Sequence, residues 1–257
     1  MADVVSVALI AGLDPSGGAG LIADVRVVAA HDMRPIGVIT ALTEQDTGSV
    51  RAVHPVPAEV VGDQLTALLS DVPVQAVKIG LLGDPAIAEQ VARALDLVAA
   101  PVVWDPVLLP GAGRVPLFTG DPRAAARLLR RHVTVATPNL AEAGALLGRP
   151  VTDVDEARAA AAALVGVAGA AVVVTGGHLP GHAVDLLATP DGVIEIAGAR
   201  IGEAGAVHGT GCAYSTALAC ALAGGAALEA AARLAKEYVA ARLGAPVRAG
   251  RGRASVL

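Results

Sequence analysis

The sequence predicts an α/β fold built on one central, mostly parallel sheet. Three observations carry this expectation. Short β-branched runs alternate with helical patterns as far as Gly176. Most of those runs are apolar almost without interruption, as strands buried on both faces are. Hydrophobic residues make up 54% of the 257 residues and charged residues 17%, which suits a full core. Aromatic residues are only 2%, so that core must be built from Val, Leu, Ile and Ala. With no internal repeat and no linker, a single domain over residues 1–257 is expected.

Taken in order, Val4–Ile10 is the first strand. The glycine-rich turn after it opens a helix at Gly18–Ala30. Ile36–Leu42 is a strand, followed by a polar cluster, Thr43-Glu44-Gln45-Asp46-Thr47. Helical spacing returns at Ala58–Ser70, and then strand Val74–Leu81 leads to helix Pro85–Ala99. Val102–Leu109 and Val133–Thr137 are strands enclosing the helical stretch Pro122–Arg131. Leu140–Leu147 and Asp155–Val167 are helices, and Ala171–Thr175 is the last strand of the alternating series. The rhythm then changes. Ala183–Ala188 and Val193–Ala197 flank Thr189-Pro190-Asp191-Gly192, a strong turn signal, so they form an antiparallel hairpin at the sheet edge. Two helices close the chain, Thr210–Ala223 and Ala227–Arg242, and the Gly/Arg-rich tail from Gly244 to Leu257 is expected to fray.

Composition narrows function. The net charge is −5 with no basic stripe, and base-stacking aromatics are nearly absent, which argues against nucleic acid. Cys212 and Cys220 fall on one helix about 12 Å apart, too far to bridge, which suits a reduced, cytoplasmic protein. Two long uncharged stretches, Ala159 to Gly177 and Cys212 to Leu228, break at glycines, so no membrane span is expected. The start, Met1-Ala2-Asp3, lacks a basic leader. There is no zinc-ligand spacing and no Gly-x-Ser-x-Gly elbow.

In an open parallel sheet ligands bind beyond the carboxyl ends of the strands, and the informative motifs lie there. Gly12-Leu13-Asp14-Pro15-Ser16-Gly17-Gly18-Ala19-Gly20 suits either a tight strand–helix turn or close approach of a polar ligand to backbone amides. It is no Walker A loop, although Gly18-x-Gly20-x-x-Ala23 also fits a loose dinucleotide pattern. His208-Gly209-Thr210-Gly211-Cys212 is either a glycine-rich helix start or an anion hole for a transferring phosphoryl group. Cys212 at a helix N-terminus is expected to have a lowered thiol pKa. Asn139-x-x-Glu142 reads as a capping box or as a polar pair facing hydrated Mg²⁺, and both readings can hold. Lys78 lies inside a buried strand, costly unless paired, and Asp105 ends another strand.

In this order the motifs resemble one family. The series runs Ala11 to Gly20, Ala23-Asp24, Ile39 to Leu42 with Gln45-Asp46-Thr47, Lys78 to Leu82, and Asp105-Pro106-Val107. It continues with Thr137-Pro138-Asn139-Leu140-x-Glu142, Gly176-Gly177-His178 and His208 to Cys212. It resembles the hydroxymethylpyrimidine/phosphomethylpyrimidine kinases of thiamin biosynthesis over nearly the whole chain. The resemblance implies a three-layer ribokinase-like fold, and phosphoryl transfer from ATP to a hydroxymethyl group, with Mg²⁺ and room for a monovalent cation. It implies a small pyrimidine substrate and a homodimer. Gly12, Asp24, Gln45, Leu81 and Val107 would meet the pyrimidine. Cys212 would stand near the accepting hydroxyl as a candidate base, and Gly209, Thr210 and Gly211 would form the anion hole. Asn139, Glu142, Thr175 and Gly177 would face the nucleotide, with Asp105 and Glu142 toward the metal. Thr175 stands where such kinases usually carry Lys, and Leu108 to Arg114 departs from the usual Ala-Lys-Ser-Gly loop. Arg114 is the substitute cation the sequence offers there. These departures leave open a pyridoxine/pyridoxal-type kinase and a non-catalytic pyrimidine-binding protein.

Overall fold

The computed structural model describes residues 4–109, 115–177, 183–201 and 207–257. Arg114 and His178 lie outside the described residues. Nine strands form one sheet in the order β3-β2-β1-β4-β5-β6-β7-β8-β9. They are β1 Ser6–Leu13, β2 Arg34–Gln45, β3 Val50–Pro55, β4 Ala76–Ile79, β5 Val102–Trp104, β6 Val135–Ala136, β7 Ala171–Val174, β8 Ala183–Thr189 and β9 Gly192–Gly198. From β2 through β7 neighbours run parallel, while β3, β8 and β9 pair antiparallel at the two edges.

Helices cover both faces. On one lie α2 Ala58–Asp71, α3 Pro85–Ala94, α4 Pro122–Leu129, α5 Leu140–Leu147 and α6 Val154–Leu164. On the other lie α1 Gly20–Ala30, α7 Thr210–Ala223 and α8 Leu228–Leu243. The continuous apolar runs are explained by strand periodicity, because successive residues face opposite layers. Ile10, Trp104 and Val172 point to the first layer, and Leu9, Val103 and Val173 to the second. Trp104, the one tryptophan, is 1% exposed at the centre of the first layer.

Several expectations change, among them the strand beginning at Val102, which stops at Trp104 and does not reach Leu109. Strand β2 does not stop at Leu42 but runs through the polar cluster to Gln45, where it pairs with β3. Residues 50–55 form a strand without an apolar run, because Arg51 and His54 break the pattern on a strand whose burial is slight. The helix beginning at Pro85 tightens into a 3-10 turn at Leu95–Leu97 and ends there. The tail does not fray: Ala254–Ser255 forms β11, parallel to β10 at Val207–His208, and Val256 is 2% exposed. A short strand partner supplied from the site loop satisfies the tail's backbone, which composition cannot reveal.

Candidate active site

The carboxyl ends of the parallel strands converge on one region. From β1 comes the loop Gly12–Gly20, from β4 Gly80-Leu81, from β5 Asp105 to Val107, from β6 Thr137 to Asn139, and from β7 Thr175 to Gly177. Opposite them stands the N-terminus of α7. Gly209 precedes it with φ +85°, and a Cβ built there would lie 2.0 Å from the Gly18 carbonyl oxygen. Only glycine fits this position. Neither Gly209 nor any side chain caps the first turn, so its amides point outward without intrahelical partners.

Asp14 shapes the β1 loop by accepting from the Ser16 amide at 2.8 Å and the Ala19 amide at 3.0 Å. Its Oδ2 lies 3.2 Å from His208 Nε2, and that ring nitrogen also sits 3.2 Å from Gln45 Nε2. Burial opposes the Asp14 charge, yet the bonds from His208 and Ser16 outweigh it and hold its pKa below the usual range.

Beneath α7 lies a buried ionic array. Lys78 and Asp24 have no exposed side-chain surface and meet at 2.7 Å, while Thr216 donates to the other Asp24 oxygen at 2.8 Å. Burial disfavours the Lys78 ammonium, but Asp24 beside it more than compensates and raises its pKa. Asp105 accepts from Ser215 at 3.0 Å and is raised chiefly by burial, against the pull of Lys78. Glu142 is pushed up to about 8 by burial and then by the Asp105 charge. Asn139 and Glu142 form a complete capping box, each side chain bonded at 3.0 Å to the other's amide, so the structural reading of that pair holds.

Two cavities of similar size, about 210 and 220 Å³, meet at Thr210 and Gly211, which line both. The larger takes in Gly12, Gln45, Leu81, Val107, Asp105, Glu142, Gly209 and Cys212. The smaller takes in Gly177, Ala183, Ile201, Tyr214, Val239 and Leu243, with the ion pair Lys236–Asp185 at 2.8 Å. Asn139, Thr175 and Val207 are shared.

Two site expectations need correcting. Asp24 is not on the cavity wall; it lies behind Lys78 with both oxygens engaged, so it cannot read a ring directly. The Cys212 thiol is not acidified. Burial drives its pKa up to about 12, against the pull of Lys78 and a bond from the Gly20 amide, so desolvation overrides the helix terminus. Residues without an assigned role in the sequence also line the larger cavity: Asp14, Lys78, His208 and Arg253. Asp14 and His208 stand inside the quoted motifs, where a polar side chain amid glycines was the available signal. Arg253, in a glycine-rich tail, gave none.

Residues 14–257 match the family profile described as phosphomethylpyrimidine kinase. The hydroxymethylpyrimidine/phosphomethylpyrimidine kinase of Rhizobium meliloti is 40% identical over 255 residues, covering 96% of this chain and 94% of its own. Among solved structures, a Bacillus subtilis pyridoxal kinase in an ADP complex has a TM-score of 0.86 at 28% identity, covering 98% of this chain and 97% of its own. The phosphomethylpyrimidine kinase of Clostridium difficile has a TM-score of 0.76 at 29% identity, covering 92% and 98%. The profile takes in the smaller cavity, the α7 turn and all of the larger cavity except Ala11 and Gly12, and the chain belongs to the phosphomethylpyrimidine kinase family, a family of ATP-using phosphotransferases.

Proposed function

We propose that this kinase transfers the γ-phosphoryl group of ATP to the hydroxymethyl oxygen of 4-amino-5-hydroxymethyl-2-methylpyrimidine, or to its monophosphate, in thiamin biosynthesis. The observation that carries this reading is the meeting of two cavities at the Thr210–Gly211 turn. One cavity takes the nucleotide, past Asn139, Thr175 and Gly177. The other takes the pyrimidine, between Gly12, Leu81 and Val107.

Gln45 both donates and accepts, as a ring nitrogen and an amino group require. His208 and Asp14 fix its orientation through the 3.2 Å contacts. In the transfer, an oxygen–phosphorus bond forms to the hydroxymethyl oxygen and the bond to the ADP oxygen breaks. The uncapped amides of α7 face the charge that spreads over the moving group. A loose phosphoryl transition state demands little deprotonation of the nucleophile. Cys212 therefore acts as a neutral contact that positions the hydroxyl, and the hydroxyl proton passes to an oxygen of the transferred phosphoryl group or to solvent as the transfer completes. Asp24 positions Lys78 beneath this turn.

The donor set fits Mg²⁺. Asp105 and Glu142 share one cavity wall, and burial raises both pKa values, with the Asp24 charge adding to the rise at Asp105 and the Asp105 charge to that at Glu142, a strain that a nearby cation would relieve. Among the described residues no group of three or more His, Cys, Asp or Glu side chains stands together to hold a metal; Mg²⁺ takes few protein ligands and keeps phosphate oxygens and water. When bound, it would neutralise charge on the phosphate oxygens. Cytoplasmic location and a homodimer remain part of this proposal; among the described residues no helix is long and apolar enough to cross a membrane.

The test is ADP formation from ATP with the pyrimidine alcohol and with its monophosphate. Turnover of at least one is expected. Binding of either without turnover would leave a non-catalytic binding protein. The Bacillus subtilis neighbour, named a pyridoxal kinase, supports a second reading in which the acceptor is a pyridine. A kcat/KM for pyridoxal above that for the pyrimidine alcohol would select it.

A further inference from the structure

The C-terminal tail enters the substrate cavity, and it does so by specific backbone contacts. The Gly252 amide donates to Thr47 Oγ1 at 3.0 Å, and the Arg253 amide to the Thr47 carbonyl at 2.9 Å. A Cβ on Gly252 would lie 2.3 Å from Thr47 backbone carbon and oxygen, so the approach needs glycine. On the other side of Arg253, β11 pairs with β10, Ser255 Oγ donates to the Gly18 carbonyl at 3.3 Å, and the Val256 amide donates to the His208 carbonyl at 3.1 Å. Arg253 is thus held between two anchored segments, and it lines the cavity together with Gln45, His208 and Gly209. Its Nη2 lies 3.4 Å from His208 Nδ1.

We propose that Arg253 is the specificity-determining residue that binds the phosphate of a monophosphorylated substrate. The inference rests on the kinase reading above and deepens it. Lys78 and Arg253 are the cationic side chains on this cavity wall among the described residues, with His208 beside them. Lys78 has no exposed surface and is committed to Asp24, and His208 leans on Asp14. Arg253 brings a planar guanidinium, whose geometry matches a phosphate bidentately, to this cavity wall.

Its position suits the chemistry. A monophosphate that accepts a second phosphoryl group must stand before Thr210 and Gly211, next to Gly209. His208 precedes Gly209, and the guanidinium touches His208. A neutral alcohol gains little from this cation, whereas a monoester carrying about −1.5 to −2 charge gains much. In the second transfer an anionic phosphate oxygen forms the new bond to the γ-phosphorus, the bond to the ADP oxygen breaks, and ADP leaves with the electron pair. No proton need move, which agrees with a neutral Cys212.

The experiment compares wild type, Arg253→Gln and Arg253→Lys. Two quantities are read: kcat/KM for the alcohol and for the monophosphate, and the Kd of the monophosphate by calorimetry without nucleotide. For Arg253→Gln the ratio of monophosphate to alcohol specificity is expected to fall by roughly 10- to 100-fold, with a matching loss of monophosphate affinity. Arg253→Lys should recover part of both. Equal losses on the two substrates would overturn the proposal and leave Arg253 as a tail anchor, as would an unchanged monophosphate Kd. If wild type phosphorylates neither compound, the kinase reading fails on its own, and the Kd comparison still decides the role of Arg253.

Discussion

The two cavities that share the α7 turn are built from different materials. The wall of the larger carries interlocked polar side chains: Asp14, His208 and Gln45 on one side, and Lys78, Asp105 and Glu142 beneath. The smaller is walled mainly by aliphatic and small residues such as Ala183, Ala199, Val239, Ala240 and Leu243, with Lys236–Asp185 as its buried charge pair. The larger cavity can discriminate among ring substituents, since a polar group lost from a ligand leaves a buried partner unsatisfied. The smaller offers mostly apolar surface, with Arg200 and the Lys236–Asp185 pair as its charged groups. On the proposed reading the backbone amides of the shared α7 turn meet the anion, which is compatible with Thr175 standing where a lysine is usual.

The sharpest way to break this contrast is to compare the two ion pairs. Lys78–Asp24 is fully buried, and removing one partner strands the other. Lys78→Met is expected to cost about 3–5 kcal/mol of stability by urea unfolding. The Lys236 and Asp185 side chains keep 13% and 7% exposure, and Lys236→Met should cost less, about 1.5–3 kcal/mol. Equal losses would mean that the two cavities do not differ in how deeply their charges are committed.

The next test addresses the shared wall. Gly209→Ala forces a Cβ against the Gly18 carbonyl at a φ that side chains avoid, so the α7 turn and the Gly12–Gly20 loop must separate. Loss of the aligned amides should lower kcat by about 10²-fold or more, the scale of removing one preorganised donor. A loss confined to KM for one ligand would assign the turn to that cavity alone.

Much of this arrangement was legible in the sequence, and the rest was hidden for identifiable reasons. The parallel strands could be read because both faces are buried, which leaves apolar runs such as Ala171–Val174. Strand β3 could not, because it is half-exposed and alternates with Arg51 and His54. The motif glycines announced the α7 turn. The role of Asp24 was misplaced because its partners, Lys78 and Thr216, come from elements distant in the chain. The tail's docking depends on Thr47 and on the two-residue strand β10, neither of which marks itself in composition.

The smallest expected effect concerns Cys212, where a local rule and its surroundings disagree. A helix N-terminus lowers a thiol pKa, but here burial raises it to about 12 from an ordinary value of 9.0. The thiol therefore stays protonated through pH 7–9, and kcat should show no ionisation in that window that is lost in Cys212→Ser. Cys212→Ala should lower kcat/KM by about 10-fold, the scale of one positioning contact, and not the 10²–10⁴-fold of a general base. Cys212→Ser should keep most of the activity, since a hydroxyl can make the same neutral contact. A rise of kcat with pH that is present in the wild type and absent from Cys212→Ser would restore the thiolate as base, and would show that bound substrate reverses the desolvation that governs the site without it.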